Sequence, residues 1–413
     1  MKHSFWMLLL LVSGVRRGLG FSLPSDCCWQ RKRPLAILYR FGSTTPRSAG
    51  RVSWNGRDEN ENGNGDGGIS WLSGKDDSMG TSHILAYRHV LAEPNNDGVG
   101  IGHTGIDDDP RHQTQTSILF CNGFRSAMTG GTKAVALEHH CRQKGWEFCS
   151  FDYRGHGLSS GKNFEDCTLT DWIRDASDIL DHVLLSQEGI QNNRKKRVIL
   201  VGSSMGAWVS IHLALRYNKR ISQNNKFPET TKELPIGGVL GIASAPDFLQ
   251  DFYSSSTVER QTEWKANGVA HLPSRYGDPY PISWNLVADA AQNWGILPSS
   301  KTIPSIEPLA PATQLSVRCP VRLLHGKCDE DVSWKKSEEL SKLLKGSKTA
   351  VPESSIMSNS SNDKNSNHTK NKSNATENEE VLLTLIEEGD HRLSRPQDIE
   401  LLLETLDEMV MNL

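Results

Sequence analysis

The chain has 413 residues, 36% of them hydrophobic, and a formal net charge of −3. A charge so near zero excludes bulk electrostatic attraction to nucleic acid, and the length admits one large α/β domain or several smaller ones. The low apolar share reflects Asn-, Ser- and Gly-rich tracts that dilute a core-forming chain with polar loop.

The chain opens with Lys2 and His3 ahead of an apolar run, Phe5 to Val12. That run is shorter than the ~20 residues a membrane span needs, so no stable membrane span is expected, but it suits a signal-peptide core. Gly18-Leu19-Gly20 offers a small-x-small cleavage site before Phe21. From Phe21 to Arg57 the sole acid, Asp26, stands against Arg31, Lys32, Arg33, Arg40, Arg47, Arg51 and Arg57, a composition like that of a transit peptide. A signal core followed by a basic stretch resembles the two-part plastid address of algae with secondary plastids; a mitochondrial presequence is the competing reading. The expectation is an organelle, mitochondrion or plastid.

Residues 55–68 (NGRDENENGNGDGG) read as Gly-rich linker, so residues 1–68 are assigned to targeting segment and linker and the folded domain to 69–413. ISWL (69–72) and HILAYRHVLA (83–92) predict a hairpin-like start. SILFC (117–121) predicts a buried strand, 132–144 a helix, WEFCSF (146–151) a strand and DYRGHGLSSG (152–161) a Gly-rich loop. Residues 168–187 follow as a helix with Trp172, Ile173, Ala176, Ile179, Leu180 and Val183 at helical spacing. RVILVG (197–202) runs into SSMG and an apolar helix to about Tyr217. GGVLGIAS (237–244), PVRLLHG (320–326) and VLLTLIEEG (381–389) are further strands, and 398–413 a closing helix. Short apolar runs alternating with helical patterns predict a mostly parallel sheet with helices on both faces. Two polar insertions interrupt it, 218–234 and 346–380; the second holds sequons at Asn359, Asn367, Asn371 and Asn374 and lacks the apolar surface to order itself. Eight cysteines are scattered, with Cys27 and Cys28 adjacent and no CxxC pair, so neither metal spacing nor a disulfide framework is supported and the six later cysteines are expected reduced and largely buried.

Gly202-Ser203-Ser204-Met205-Gly206 is a G-x-S-x-G element between a predicted strand and a predicted helix. That context is what a nucleophile elbow requires. Glycine is needed on either side because strand and helix approach too closely there for a side chain. Ser204 is therefore the candidate nucleophile of an alpha/beta-hydrolase fold; Ser203 lacks the flanking frame. Stabilising an oxyanion takes two preorganised N–H donors: those of Met205 and, from the Asn122-Gly123-Phe124 loop, of Phe124. The chain order of such sites, Ser then acid then His, points to His391, which follows the last strand, as base. Asp329, in His-Gly-x-x-Asp-x-x-Val (325–332), is the candidate acid, with Asp331 and Asp247 as fallbacks. No cofactor or metal is called for.

Together NGFRSAMTGGTKA (122–134), FDYRGHGLSSG (151–161), VGSSMGAW (201–208), CPVRLLHGKCDEDVSW (319–334) and EGDHRLSRPQDIELL (388–402) resemble the family of alpha/beta-hydrolase domain-containing protein 10. The likeness runs from about Ile69 to the C-terminus outside the polar insertions. It implies a Ser204, Asp329, His391 triad and hydrolysis of acyl thioesters or esters, as in the family's mitochondrial palmitoyl-protein thioesterase and acyl-glucuronide esterase activities. The substrate would be an acylated protein or a small acyl ester or thioester. The Asn-rich insertion and the amino-terminal address depart from the family pattern. Residues 247–318, with Tyr253, Trp264, Tyr276, Tyr280, Trp284 and Trp294, are expected to form a small cap. The competing readings are a general carboxylesterase or lipase, a serine peptidase of the same fold, and a catalytically silent binding module.

Overall fold

The computed structural model describes residues 68–75, 82–91, 115–185, 196–223, 235–274, 278–300, 303, 304, 306, 315, 317–346 and 381–413. The targeting segment, most of the linker, Tyr276, the sequons and residues 347–380 of the long insertion lie outside the described residues.

The strands are β1 (Ile69–Lys75), β2 (Ser82–Val90), β3 (Gln115–Cys121), β4 (Glu147–Phe151), β5 (Lys196–Ser203), β6 (Ile236–Ile242), β7 (Val269–Leu272), β8 (Tyr280–Ser283), β9 (Val321–Gly326) and β10 (Val381–Ile386). Eight of them form one sheet in the order β1-β2-β4-β3-β5-β6-β9-β10. The β1–β2 and β2–β4 pairs are antiparallel, and from β4 to β10 every pair is parallel. The main helices are α1 (Thr132–Lys144), α2 (Leu169–Ile179), α3 (Met205–Gln223), α4 (Phe248–Ser254), α5 (Val258–Asn267), α6 (Trp284–Asn293), α7 (Lys335–Gly346) and α8 (Pro396–Met411).

The near-continuous apolar strands are buried on both faces. In β3, Leu119 and Cys121 enter one core while Ile118 and Phe120 enter the other. β5 divides in the same way, Val198 and Leu200 against Ile199 and Val201. One core is closed by α2, α3 and the 247–318 region around Trp172, Trp208 and Trp264; the other is closed by α1 and α8 through Leu137, Leu402 and Leu406. Emptying the Trp172 site by substitution with alanine would cost roughly 3–5 kcal/mol.

Local signals set the element ends. Thr168 and Asp171 form a reciprocal capping box that starts α2. Gly145, left-handed at φ 68°, ends α1. Two predicted boundaries differ, and one helix was not predicted. The helix expected over 168–187 is α-helical only to Ile179 and continues as a π turn through Leu184. α3 runs on to Gln223, so the first residues of the 218–234 insertion are helical. α7 also escaped the reading, because its apolar residues are outnumbered by Lys and Glu on its exposed side.

Within 247–318, α4, α5 and α6 accompany the antiparallel β7–β8 hairpin. Buried Asp247 anchors this region: it accepts from the Ile296 and Leu297 N–H groups and from Ser300 Oγ. The Trp294 carbonyl accepts from both Trp208 Nε1 (3.1 Å) and His212 Nε2 (2.9 Å) on α3.

Candidate active site

Ser204 stands where β5 turns into α3, at φ 56°, a left-handed conformation costing an L-residue roughly 1–2 kcal/mol. Its N–H donates to the Ile242 carbonyl (2.8 Å), and its carbonyl accepts from Ala207 N (3.1 Å) and Ala245 N (3.3 Å), so the backbone around it determines that strained geometry. A Cβ on Gly206 would lie 2.0 Å from the Cys121 carbonyl oxygen, and one on Gly202 would lie 2.3 Å from the Gly206 oxygen. These are the close approaches that the G-x-S-x-G spacing demands.

His391 emerges after β10. Its Nε2 is 3.0 Å from Ser204 Oγ and its Nδ1 is 2.7 Å from Asp329 Oδ2. Asp329, on the loop after β9, has a fully buried side chain. Its Oδ1 accepts from the Asp331 and Val332 N–H groups (2.9 and 2.8 Å), and its Oδ2 also accepts from His325 Nε2 (3.0 Å). Burial pushes the Asp329 carboxyl up, but hydrogen bonds from His325 and His391, the His391 charge and the Val332 N–H outweigh it and hold the group well below the usual carboxylate range. An ionised carboxylate only accepts. The hydrogen-bond network therefore assigns the neutral His391 proton to Nδ1 and leaves Nε2 facing Ser204 as an acceptor.

The structure thus brings Ser204, His391 and Asp329 together. It does not bring the fallback acids to that position. Asp331 is exposed, and Asp247 is committed to the 296–300 segment. Asp329, Asp331 and His391 offer ligand atoms within 4.8 Å of one another, yet Asp329 Oδ2 and His391 Nδ1 already hold each other at hydrogen-bond distance, which is a poor donor set for a cation.

The Asn122–Phe124 loop lies against the serine: a Cβ on Gly123 would be 3.5 Å from Ser204 Cβ. Neither the Phe124 nor the Met205 N–H has an acceptor among the described residues. Two N–H donors flanking a serine with no acceptor of their own are what a developing oxyanion requires.

Sequence reasoning missed several supports. Fully buried His325 holds Asp329 on one side and Ser337 Oγ (2.7 Å) on the other; the His-Gly-x-x-Asp pattern contained it. His156 Nε2 accepts from the Arg125 N–H (3.1 Å), fastening the residue after Phe124. Burial lowers the His156 value to about 4; the Arg154 carbonyl opposes this, and the Arg125 charge adds to it. Neutral His156 can therefore accept at Nε2 while donating to the Arg154 carbonyl. Arg154 forms buried ion pairs with Asp171 and Asp175. The DYRGHG loop, read as structural, thereby also braces the loop carrying Phe124.

The Phe124 ring meets Phe164, Trp172, Phe248 and Tyr280 edge-on, at centroid distances of 5.2, 5.9, 5.4 and 5.5 Å. Of the described aromatics expected in the cap, Tyr280 alone joins this cluster. Tyr253 packs on Trp264 and on Trp284, and Trp294 Nε1 donates to Thr170 Oγ1.

Residues 112–224 match the family model described as serine aminopeptidase, S33. The chain is 30% identical to the palmitoyl-protein thioesterase ABHD10, mitochondrial, of Mus musculus over 295 residues, 71% of this chain and 74% of that one. The Homo sapiens counterpart is 28% identical over 71% of this chain and 72% of its own. The structure of alpha/beta hydrolase domain-containing protein 10 from mouse superposes with a TM-score of 0.53 at 26% identity, covering 83% of this chain and 99% of that one. A putative hydrolase from Agrobacterium vitis S4 shares the fold at a TM-score of 0.56 and 24% identity, over 83% and 98% of the two chains. With a serine, a histidine and an aspartate hydrogen bonded in series on an alpha/beta-hydrolase sheet, this chain belongs to the ABHD10 family.

Proposed function

We propose that this protein is a serine thioesterase and esterase that cleaves acyl groups, foremost from acylated proteins, through an acyl-enzyme. The observation that carries the reading is the Ser204–His391–Asp329 hydrogen-bond series beside two N–H groups that have no acceptor among the described residues. The name of the relatives, palmitoyl-protein thioesterase, supplies the substrate class. The aromatic cluster around Phe124 suits a hydrophobic acyl chain.

His391 Nε2 takes the Ser204 proton as Oγ attacks the acyl carbonyl. The negative charge that develops on the carbonyl oxygen is met by the Phe124 and Met205 N–H groups. Asp329 stabilises the imidazolium and holds its Nδ1 proton. His391 returns its proton to the departing sulfur or oxygen. Water then loses a proton to His391 and attacks the acyl-enzyme, releasing the carboxylic acid and regenerating Ser204.

The test is a chain-length series of acyl thioesters hydrolysed by the protein from about Ile69 onward, beside Ser204→Ala. A long-chain optimum lost in the variant is the expected result. Turnover of short esters alone would make the protein a general carboxylesterase, and absence of Ser204-dependent turnover would favour a silent binding module. The relatives are named mitochondrial, and the basic amino-terminal stretch suits import, so we assign the protein to an organelle, the mitochondrion ahead of the plastid. A fluorescent fusion of residues 1–68 that stayed in the cytosol would refute that assignment.

A further inference from the structure

Arg125 follows Phe124, whose N–H is a candidate oxyanion donor. It is exposed and stands at φ 56°, a left-handed conformation that bulky L-residues seldom adopt. Its N–H is tied to His156. Its guanidinium lies over the Phe164 ring at 5.2 Å and over the Tyr280 ring at 5.7 Å, and both rings also pack on Phe124. No carboxylate among the described residues pairs with it. Two other described arginines differ: Arg154 is spent on Asp171 and Asp175, and Arg395 on Asp398.

Contact with two rings restrains a long side chain that would otherwise sample many rotamers, so less entropy is lost when it binds a partner. The residue is exposed, and a guanidinium can take a carboxylate by paired N–H bonds. An acyl chain is neutral and seeks the aromatic surface beneath. The part of an acylated-protein substrate that can offer a charge at an exposed rim is therefore the leaving side, the protein segment that carries the acylated cysteine.

We propose that Arg125 is a specificity-determining residue that favours acyl-cysteines flanked by acidic residues. The proposal rests on the thioesterase reading above and names its preferred substrate. Glu165 and Asp166, beside Phe164, are exposed acids that disfavour an anion in general, so the preference depends on direct pairing with the guanidinium and not on the field of the rim.

The test uses S-acyl peptides identical except for Glu, Gln or Lys next to the acyl-cysteine, hydrolysed by the wild-type protein, Arg125→Gln and Arg125→Lys. An exposed, geometrically restrained pair predicts a Glu-over-Gln ratio in kcat/KM of about threefold to tenfold at low salt. That ratio should fall toward one in about 0.5 M salt. In Arg125→Gln it should be near one at either salt, and in Arg125→Lys it should be intermediate, because the charge persists without the fork. Labelling of Ser204 by a neutral fluorophosphonate reports whether the loop survives each substitution. Equal Glu and Gln rates in the wild-type protein, or an unchanged ratio in Arg125→Gln, would overturn the assignment to Arg125 alone. If no peptide were turned over in a Ser204-dependent way, the thioesterase reading would fail and take this one with it.

Discussion

Asp329→Asn isolates the acid's electrical role at almost constant shape. The wild-type carboxylate receives four N–H groups, two from backbone on Oδ1 and two from histidine rings on Oδ2. An asparagine can face this pocket in two ways. If its oxygen meets the histidines, its NH2 confronts the Asp331 and Val332 N–H groups, which cannot become acceptors, and two donors lose their partner at about 1–3 kcal/mol each. If its oxygen keeps the backbone, its NH2 meets the histidines, which can adapt by moving a proton. The second arrangement wins. His391 then carries its proton on Nε2, facing Ser204, and cannot act as base. The expected loss in kcat is about 10⁴-fold, or roughly 5.4 kcal/mol in the barrier. The assay is steady-state hydrolysis of a chromogenic ester with circular dichroism as the folding control, and Asp331→Asn, at an exposed side chain, should retain its turnover. A loss of less than tenfold in a folded Asp329→Asn protein would refute the assignment of tautomer and acid.

Gly206→Ala should unfold or inactivate the protein, because its Cβ would sit 2.0 Å from the Cys121 carbonyl oxygen; a cost of about 3 kcal/mol or more is expected in urea unfolding. Gly131→Ser, at a helix N-cap with nothing within 4 Å of a Cβ, should be neutral or stabilising by a few tenths of a kcal/mol, about the gain of a serine cap. Lys133 Nζ, on α1, donates to the Arg392 carbonyl beside His391. Lys133→Met should lower kcat roughly tenfold to a hundredfold with KM little changed, as the base loop loses a tether, and Lys133→Arg should rescue it. Burial lowers His212, which donates to the Trp294 carbonyl, from 6.5 to about 4. The unfolded chain therefore binds a proton that the folded chain refuses between those values, so this contribution is full above pH 6.5 and is lost as pH falls toward 4. Relative to wild type, His212→Gln should flatten the fall of stability over that window by up to about 1.4 kcal/mol per pH unit, read from urea melts at stepped pH.

Much of the molecule was legible from local chemistry. The parallel strands announced themselves as short apolar runs because both faces of the sheet are covered, as Ile118 to Cys121 illustrate. The elbow was readable because its glycines are dictated by backbone contacts only a few residues away in the chain. The order of Ser204, Asp329 and His391 followed from where strand ends fall. The sequence did not disclose the pairing of groups far apart along the chain. That His325 would brace Asp329, that His156 would hold Arg125, and that Tyr280 and not Trp264 would reach Phe124 depend on how loops from separate strands converge above the sheet. Chain position singled out Asp329 over Asp331, but not that its carboxylate would be a buried acceptor of four hydrogen bonds. Strand and turn identity were determined by the sequence itself, since they arise from local periodicity and backbone sterics. The ionisation of Asp329, the tautomer of His391 and the place of the Arg125 guanidinium over two rings were decided only in the tertiary structure, since burial and hydrogen bonding exist only once distant segments have met.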